Sequence, residues 1–183
     1  MPDDTRWLDA GEQATWRAFL EATRATFERI DGQLQHGAGI PHTYYEILVR
    51  LSEAPEHALR MSELAERSLS SRSRLSHAVN RLVELGWVNR AECPTDRRGQ
   101  LALLTPAGMA ALEKAAPGHV ETVRTTIFDA LSPEQVGQLR AISEALLDRA
   151  RANPCPDTVD AGTRCPPSDA DCPSISAEAA SES

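Results

Sequence analysis

The stretch that most narrows the fold lies mid-chain, where a helix-spaced apolar stripe ends at a glycine and two strand-like segments follow around a short basic turn. In Ser71–Leu85, Leu75, Ala78, Val79, Leu82 and Val83 recur at i, i+3, i+4, i+7 and i+8, one face of a helix. Gly86 follows, the residue type that most readily takes the left-handed conformation closing a helix. Trp87–Cys93 and Gln100–Leu104 then read as strands, and Pro94-Thr95-Asp96-Arg97-Arg98-Gly99 between them has turn chemistry, so the pair forms a β-hairpin with a basic tip. A shorter helix, about Ser62–Ser68, precedes the serine-rich break Ser68-Leu69-Ser70-Ser71. Helix, break, helix and hairpin in this order make a helix–turn–helix with a two-stranded wing.

Helix geometry then dictates what the second helix presents on its other side. At 100° per residue that face carries Ser70, Ser73, Arg74, His77, Asn80 and Arg81, with Arg72 and Ser76 on its borders. Nearly all are hydrogen-bond donors or dual donor/acceptors, the set that reads base edges and grips phosphate in a major groove. The helix start around Ser71 adds backbone donors for phosphate. A face that merely meets solvent usually mixes signs, whereas this one has acid only at Glu84 and is followed by Arg97 and Arg98.

Net charge taken alone argues against a nucleic-acid partner, since the chain of 183 residues carries −8. The distribution removes the contradiction. Residues 153–183 hold six acids against Arg164, a net −5, which leaves −3 for residues 1–152. Between Arg60 and Arg98, eight arginines face five acids, a net +3 flanked by acidic segments.

The remaining chain is helical. Trp16, Phe19, Leu20, Thr23, Phe27, Ile30 and Leu34 form the stripe of a long amphipathic helix stopped by Gly37 and Gly39. Pro41 to about Glu53 is apolar around most of its circumference and is expected to be largely buried. Thr105-Pro106 is a cap with proline at the first helical position, opening a helix to about Leu131 with a kink near Pro117-Gly118. Ser132-Pro133-Glu134-Gln135 is a capping box before a last helix with Val136, Leu139, Ile142, Leu146, Leu147 and Ala150 on its apolar face. From Asn153 onward, Pro, Ser, Asp and Ala dominate, a composition expected to be disordered.

The expected fold is mainly α with a small two-stranded β wing. Residues 1–57 are N-terminal helices for dimerisation and a ligand pocket, 58–105 the DNA-binding lobe, 106–152 C-terminal dimerisation helices and 153–183 an acidic tail. The terminal apolar stripes outnumber the surfaces one chain can offer them, which predicts a homodimer with interleaved terminal helices. No apolar run approaches the roughly 18 residues of a membrane helix, and the acidic N-terminus leads into no signal-like stretch, so a cytoplasmic location without membrane association is expected.

Chemistry-bearing residues elsewhere are sparse. His36, His42, His57, His77 and His119 have no metal-ligand spacing, and Cys155, Cys165 and Cys172 lack any C-x-x-C, so neither metal nor cofactor is expected. Cys93 reads as a small buried hydrophobe in its strand. With no nucleophile triad, phosphate loop or H-E-x-x-H, there is no catalytic residue to name and the chain does not read as an enzyme. Trp16, Phe19 and Thr23 on the first helix and His42, Tyr44 and Tyr45 on the second combine aromatic walls with polar tips. They suit a flat, partly polar small-molecule effector, although core packing would use the same residues.

These residues resemble a known family. Met61-Ser62-Glu63-Leu64-Ala65, the helix ending Arg81-Leu82-Val83-Glu84-Leu85-Gly86-Trp87-Val88, and Asp96-Arg97-Arg98 followed by Leu104-Thr105 with Gly108 look like the MarR family of bacterial transcription factors (multiple antibiotic resistance regulators) over residues 15–150. The resemblance implies a homodimeric winged helix–turn–helix repressor or activator on palindromic double-stranded DNA, often released by a small, frequently phenolic, ligand. It further implies that Ser71–Leu85 is the recognition helix and that Arg98 enters the minor groove, with Asp96 steering a wing arginine. Two other readings stay open at this level: a winged-helix module docking on an acidic protein through the same arginines, and an architectural DNA binder without ligand response.

Overall fold

Asp9 opens the longest helix. The computed structural model describes residues 5–68, 72–93 and 96–153, with side chains at 72 and 96–98 left outside the description. In it the Asp9 carboxylate accepts from the Glu12 N–H at 2.8 Å while Glu12 accepts from the Asp9 N–H at 2.9 Å. This reciprocal cap starts helix α1, Ala10–Ala38, further upstream than the apolar stripe from Trp16 alone suggests. Gly39 ends it in the left-handed region at φ 71°, its N–H donating to the Gln35 carbonyl at 3.0 Å. Gly37 is therefore inside the helix, and Gly39 is the residue that stops it.

Helix α2, His42–Ser52, begins after Pro41, which has no side chain to cap with; Asp31 of α1 substitutes, its Oδ1 accepting from the His42 N–H at 2.7 Å. Tyr45, Ile47, Leu48 and Leu51 are all buried, as the broad apolar circumference predicts. A 3-10 turn at Pro55–His57, with Glu56 and His57 at φ 52° and 56°, then leads into strand β1, Ala58–Arg60.

Helices α3, Met61–Arg67, and α4, Arg72–Glu84, follow, then strands β2, Val88–Cys93, and β3, Asp96–Leu104. The sheet is antiparallel in the order β1-β3-β2. It differs from the expected two-stranded wing in two respects. β1 adds a third strand, too short for its periodicity to be read. β3 begins at Asp96 instead of Gln100, because ladder pairing of Cys93 with Asp96, past an irregularity at Glu92/Cys93, overrides the turn-like composition of this stretch.

Helix α5, Pro106–Thr126, starts at the Thr105 cap and continues through Pro117 as one helix. It ends earlier than expected, giving way to a 3-10 turn at Phe128–Ala130. Helix α6, Pro133–Ala152, opens with the predicted reciprocal cap, Ser132 Oγ accepting from Gln135 N–H at 3.3 Å and Gln135 from Ser132 N–H at 2.9 Å.

Among the described residues the core is built around α2, with Leu34, Leu48, Leu51, Leu64, Val79, Leu82 and Val88 fully excluded from solvent. α6 contributes no buried residue. Large apolar side chains instead remain exposed along α1 (Trp16, Phe19, Leu20, Phe27), α5 and its end (Val120, Phe128) and α6 (Leu139, Ile142, Leu146). Among the described residues no helix is long and apolar enough to cross a membrane.

Candidate nucleic-acid interface

The two faces of α4 separate as helix geometry requires. Leu75, Ala78, Val79 and Leu82 are buried at 7% exposure or less, while Val83, at the edge of the stripe, is 37% exposed. On the opposite side Ser73, Arg74, His77, Asn80 and Arg81 are exposed. Arg81 pairs with Glu84 one turn on, and with both partners more than half exposed the pair is screened by water and readily exchanged for another anion. Ser76 is half-buried on the border, and its hydroxyl accepts from Arg90 Nη2 at 3.2 Å.

Ser71 lies outside the described residues, as do the side chains of Arg72, Asp96, Arg97 and Arg98. Residues 96–98 begin β3, at the end of the hairpin away from the core. The tail cysteines Cys155, Cys165 and Cys172 also lie outside the described residues.

The hairpin is anchored at its other end by a set of local bonds. Gly86, at φ 72°, donates to the Val83 carbonyl at 2.9 Å, and Trp87 N–H donates to the Leu82 carbonyl at 2.9 Å, a Schellman closure of α4. The Thr105 hydroxyl donates to the Gly86 carbonyl at 2.8 Å and accepts from the Gly108 N–H at 3.0 Å. One side chain thus fastens the end of α4 to the start of α5 across the wing base. Gly108 is needed there because a Cβ would sit 2.2 Å from the Trp87 carbonyl oxygen. The Leu104-Thr105 and Gly108 signature therefore has a packing cause.

Arg90 is a residue that sequence reasoning counted only as charge. It sits on β2 two residues after the fully buried Val88, hence on the same side of the strand, and that inward register was the available signal. Its guanidinium bonds both α4 and β3.

Of the six residues considered for a small-molecule site, the structure gathers two with partners not expected. His42 lies 5.7 Å from Phe27 and 6.0 Å from His119, and Tyr45 lies 4.3 Å from His119, all between ring centroids. Tyr44 is half-buried and packs against the core, and Thr23 is half-buried on α1. Trp16 and Phe19 stack on each other at 6.1 Å, each about half exposed and two or more helical turns before Phe27. Burial, and secondarily His42, pushes the His119 pKa down, while burial pushes the Tyr45 hydroxyl up. His119 Nδ1 is buried without a hydrogen-bond partner, and an open cavity of ≈ 200 Å³ adjoins it, lined by Val120, Val123, Arg124 and Phe128. Cys93 is buried at 2% exposure, in keeping with a packing role. Among the described residues no three His, Cys, Asp or Glu side chains converge on a metal position.

Comparison with known proteins adds the following. A family model described as MarR family matches residues 38–99. The crystal structure of Sco3205, a MarR family transcriptional regulator from Streptomyces coelicolor in complex with DNA, is 48% identical, with a TM-score of 0.79 over 81% of this chain and 93% of that one. AbsC, a MarR family transcriptional regulator of the same organism, is 39% identical with a TM-score of 0.77, covering 81% of this chain and all of its own. Among curated proteins, the transcriptional repressor MprA of Escherichia coli K12 is 31% identical over 111 residues, 61% of this chain and 62% of that protein.

Proposed function

The chain belongs to the MarR family of transcriptional regulators, and from that premise we propose that it is a sequence-specific repressor that binds palindromic operators as a homodimer and is released by a small aromatic acid or phenol. The observation that carries this reading is the exposed face of α4, where Ser73, Arg74, His77, Asn80 and Arg81 stand together with no core role. A helix so furnished fits a major groove, with Asn80 suited to adenine and the arginines to guanine or phosphate. The hairpin beside it would carry Arg97 and Arg98 toward the neighbouring minor groove, held by Asp96. Relatives named as a repressor and as a regulator solved with DNA support the same assignment.

In this reading residues 58–105 grip DNA while 1–57 and 106–152 hold the dimer and the effector. The His42, Tyr45 and His119 cluster supports the effector position, because polar aromatic tips with an unused buried donor or acceptor suit a flat molecule bearing a carboxylate or hydroxyl. A ligand there would act by favouring one spacing of the two α4 helices over another.

The experiment is selection of duplexes from a random library with the full-length chain, followed by titration across salt. The expected result is an enriched inverted repeat bound about a thousandfold or more tighter than unselected duplex, with a log–log salt slope reflecting several phosphates. Arg98→Ala is expected to weaken binding strongly at unchanged melting temperature. Asn80→Ala should relax preference at one position per half-site by about 1–3 kcal/mol. Selection that enriches nothing, or wild-type affinity in both variants, overturns the assignment.

A further inference from the structure

Arg90 and Val88 share one side of β2, yet Val88 is fully buried and Arg90 only half so. The guanidinium reaches the seam between α4 and the hairpin. There Nη2 donates to the Ser76 carbonyl at 3.3 Å and to the Ser76 hydroxyl at 3.2 Å, while Nη1 donates to Gln100 Oε1 at 3.0 Å. Strand register makes the second contact possible: Arg90 lies opposite Ala102, so Gln100 is its diagonal neighbour on the same face. One planar group therefore joins β2, the middle of α4, and β3 two residues from Arg98.

We propose that Arg90 is a positioning residue that locks the wing hairpin to α4 at one spacing and acts on DNA through that spacing, without touching DNA itself. The proposal rests on the reading that α4 and the hairpin enter adjacent grooves. Two probes that must enter together bind better when their separation is set beforehand, since freedom retained in the free protein is lost on binding. The base of the hairpin is already fixed, by Val88 in the core and by the Thr105 bonds to Gly86 and Gly108. A hairpin held only at its base can still swing at its far end, and Arg90 bonds it part-way along. Buried Nε makes no hydrogen bond, an unused donor whose cost the paired contacts of the fork must offset. Lysine could not do the same, because a single ammonium lacks the planar fork that meets two acceptor sites on opposite sides of the seam. Ser76 is in this arrangement the anchor of the clamp on α4.

The test uses the full-length chain, the duplex that the wild type enriches from a random library, and an unselected duplex of equal length. Arg90→Lys and Gln100→Leu are each expected to lower affinity for the enriched duplex about tenfold or more. Affinity for unselected duplex, salt slope and melting temperature should stay at wild-type values. The double variant is expected to be no weaker than either single one, because both break the same clamp. In the free protein, amides of residues 96–104 should exchange faster in Arg90→Lys while those of α2 keep their protection. If Arg90→Lys instead binds as wild type while Arg90→Met weakens both duplexes alike and lowers the salt slope by about one, Arg90 is a phosphate contact and the clamp is wrong. Unchanged amide exchange in Arg90→Lys overturns it whatever the DNA result. A wild type that prefers no duplex counts against the DNA reading and leaves amide exchange to decide the clamp.

Discussion

Single side chains show how tertiary packing alters chemistry that the residue type alone would not foretell. His119 is an ordinary helical histidine by sequence, yet it packs on Tyr45 and near His42, half-buried and with its pKa held below the usual 6.5 by desolvation first and the neighbouring imidazole second. The folded state then favours neutral His119, and the unfolded chain takes up the proton first as pH falls. The stability that depends on neutral His119 is fully present above about pH 6.5 and declines as pH drops through that value toward the folded pKa. Melting curves from pH 8 to 5 should accordingly fall more steeply for the wild type than for His119→Phe or His119→Gln. Parallel curves in both variants would remove His119 as the titrating group. Trp16 and Phe19, though aromatic and at helical spacing, lie outside this cluster and stack on each other at an exposed part of α1.

Among the elements, the junction of α4, the wing and α5 is the most tightly specified. Thr105 bonds both Gly86 and Gly108, and the backbone at Trp87 comes so close to Gly108 that a methyl group has no room. Gly108→Ala would force the start of α5 away from the wing base, a backbone displacement that no rotamer change relieves. The expected loss is about 1–3 kcal/mol of stability, read from the urea midpoint, with the far-UV helix signal retained. A variant as stable as the wild type would show that the junction yields. Thr105 and Gly108 stand out in the sequence as a family signature, while their reason, a close approach between two non-adjacent backbones, exists only after folding.

Across the described residues, the decisive feature is the amount of large apolar surface left exposed. α6 buries nothing, and Leu139, Ile142 and Leu146 line one side of it at 42–56% exposure; Trp16, Phe19 and Phe27 of α1 are exposed as well. A stripe of this kind would suit an interface between two copies of the chain. The chain is expected to sediment as a dimer at micromolar concentration, and Ile142→Glu combined with Leu146→Glu to give a folded monomer with much weaker operator binding. The two α4 helices of such a dimer should lie about 34 Å apart, or a multiple of that, to meet successive major grooves. A monomeric wild type would overturn this arrangement.

Periodicity, caps and glycine stops are local properties, so the sequence alone determines that α4 has one apolar and one donor-rich face, that Ser132 and Thr105 open helices, and that Gly86 closes α4 before a hairpin. It equally shows that the basic residues concentrate between Arg60 and Arg98. Only the tertiary structure decides matters that join distant segments. β1 exists because β3 offers it a ladder, three residues being too few to declare a strand unaided. Asp31 caps a helix other than its own, Arg90 finds Ser76 and Gln100 across a seam, and His119 meets His42 and Tyr45 because α5 crosses α2. Each of these contacts is set by the relative placement of elements, a consequence of how the apolar faces pack together, which no local pattern along the chain encodes.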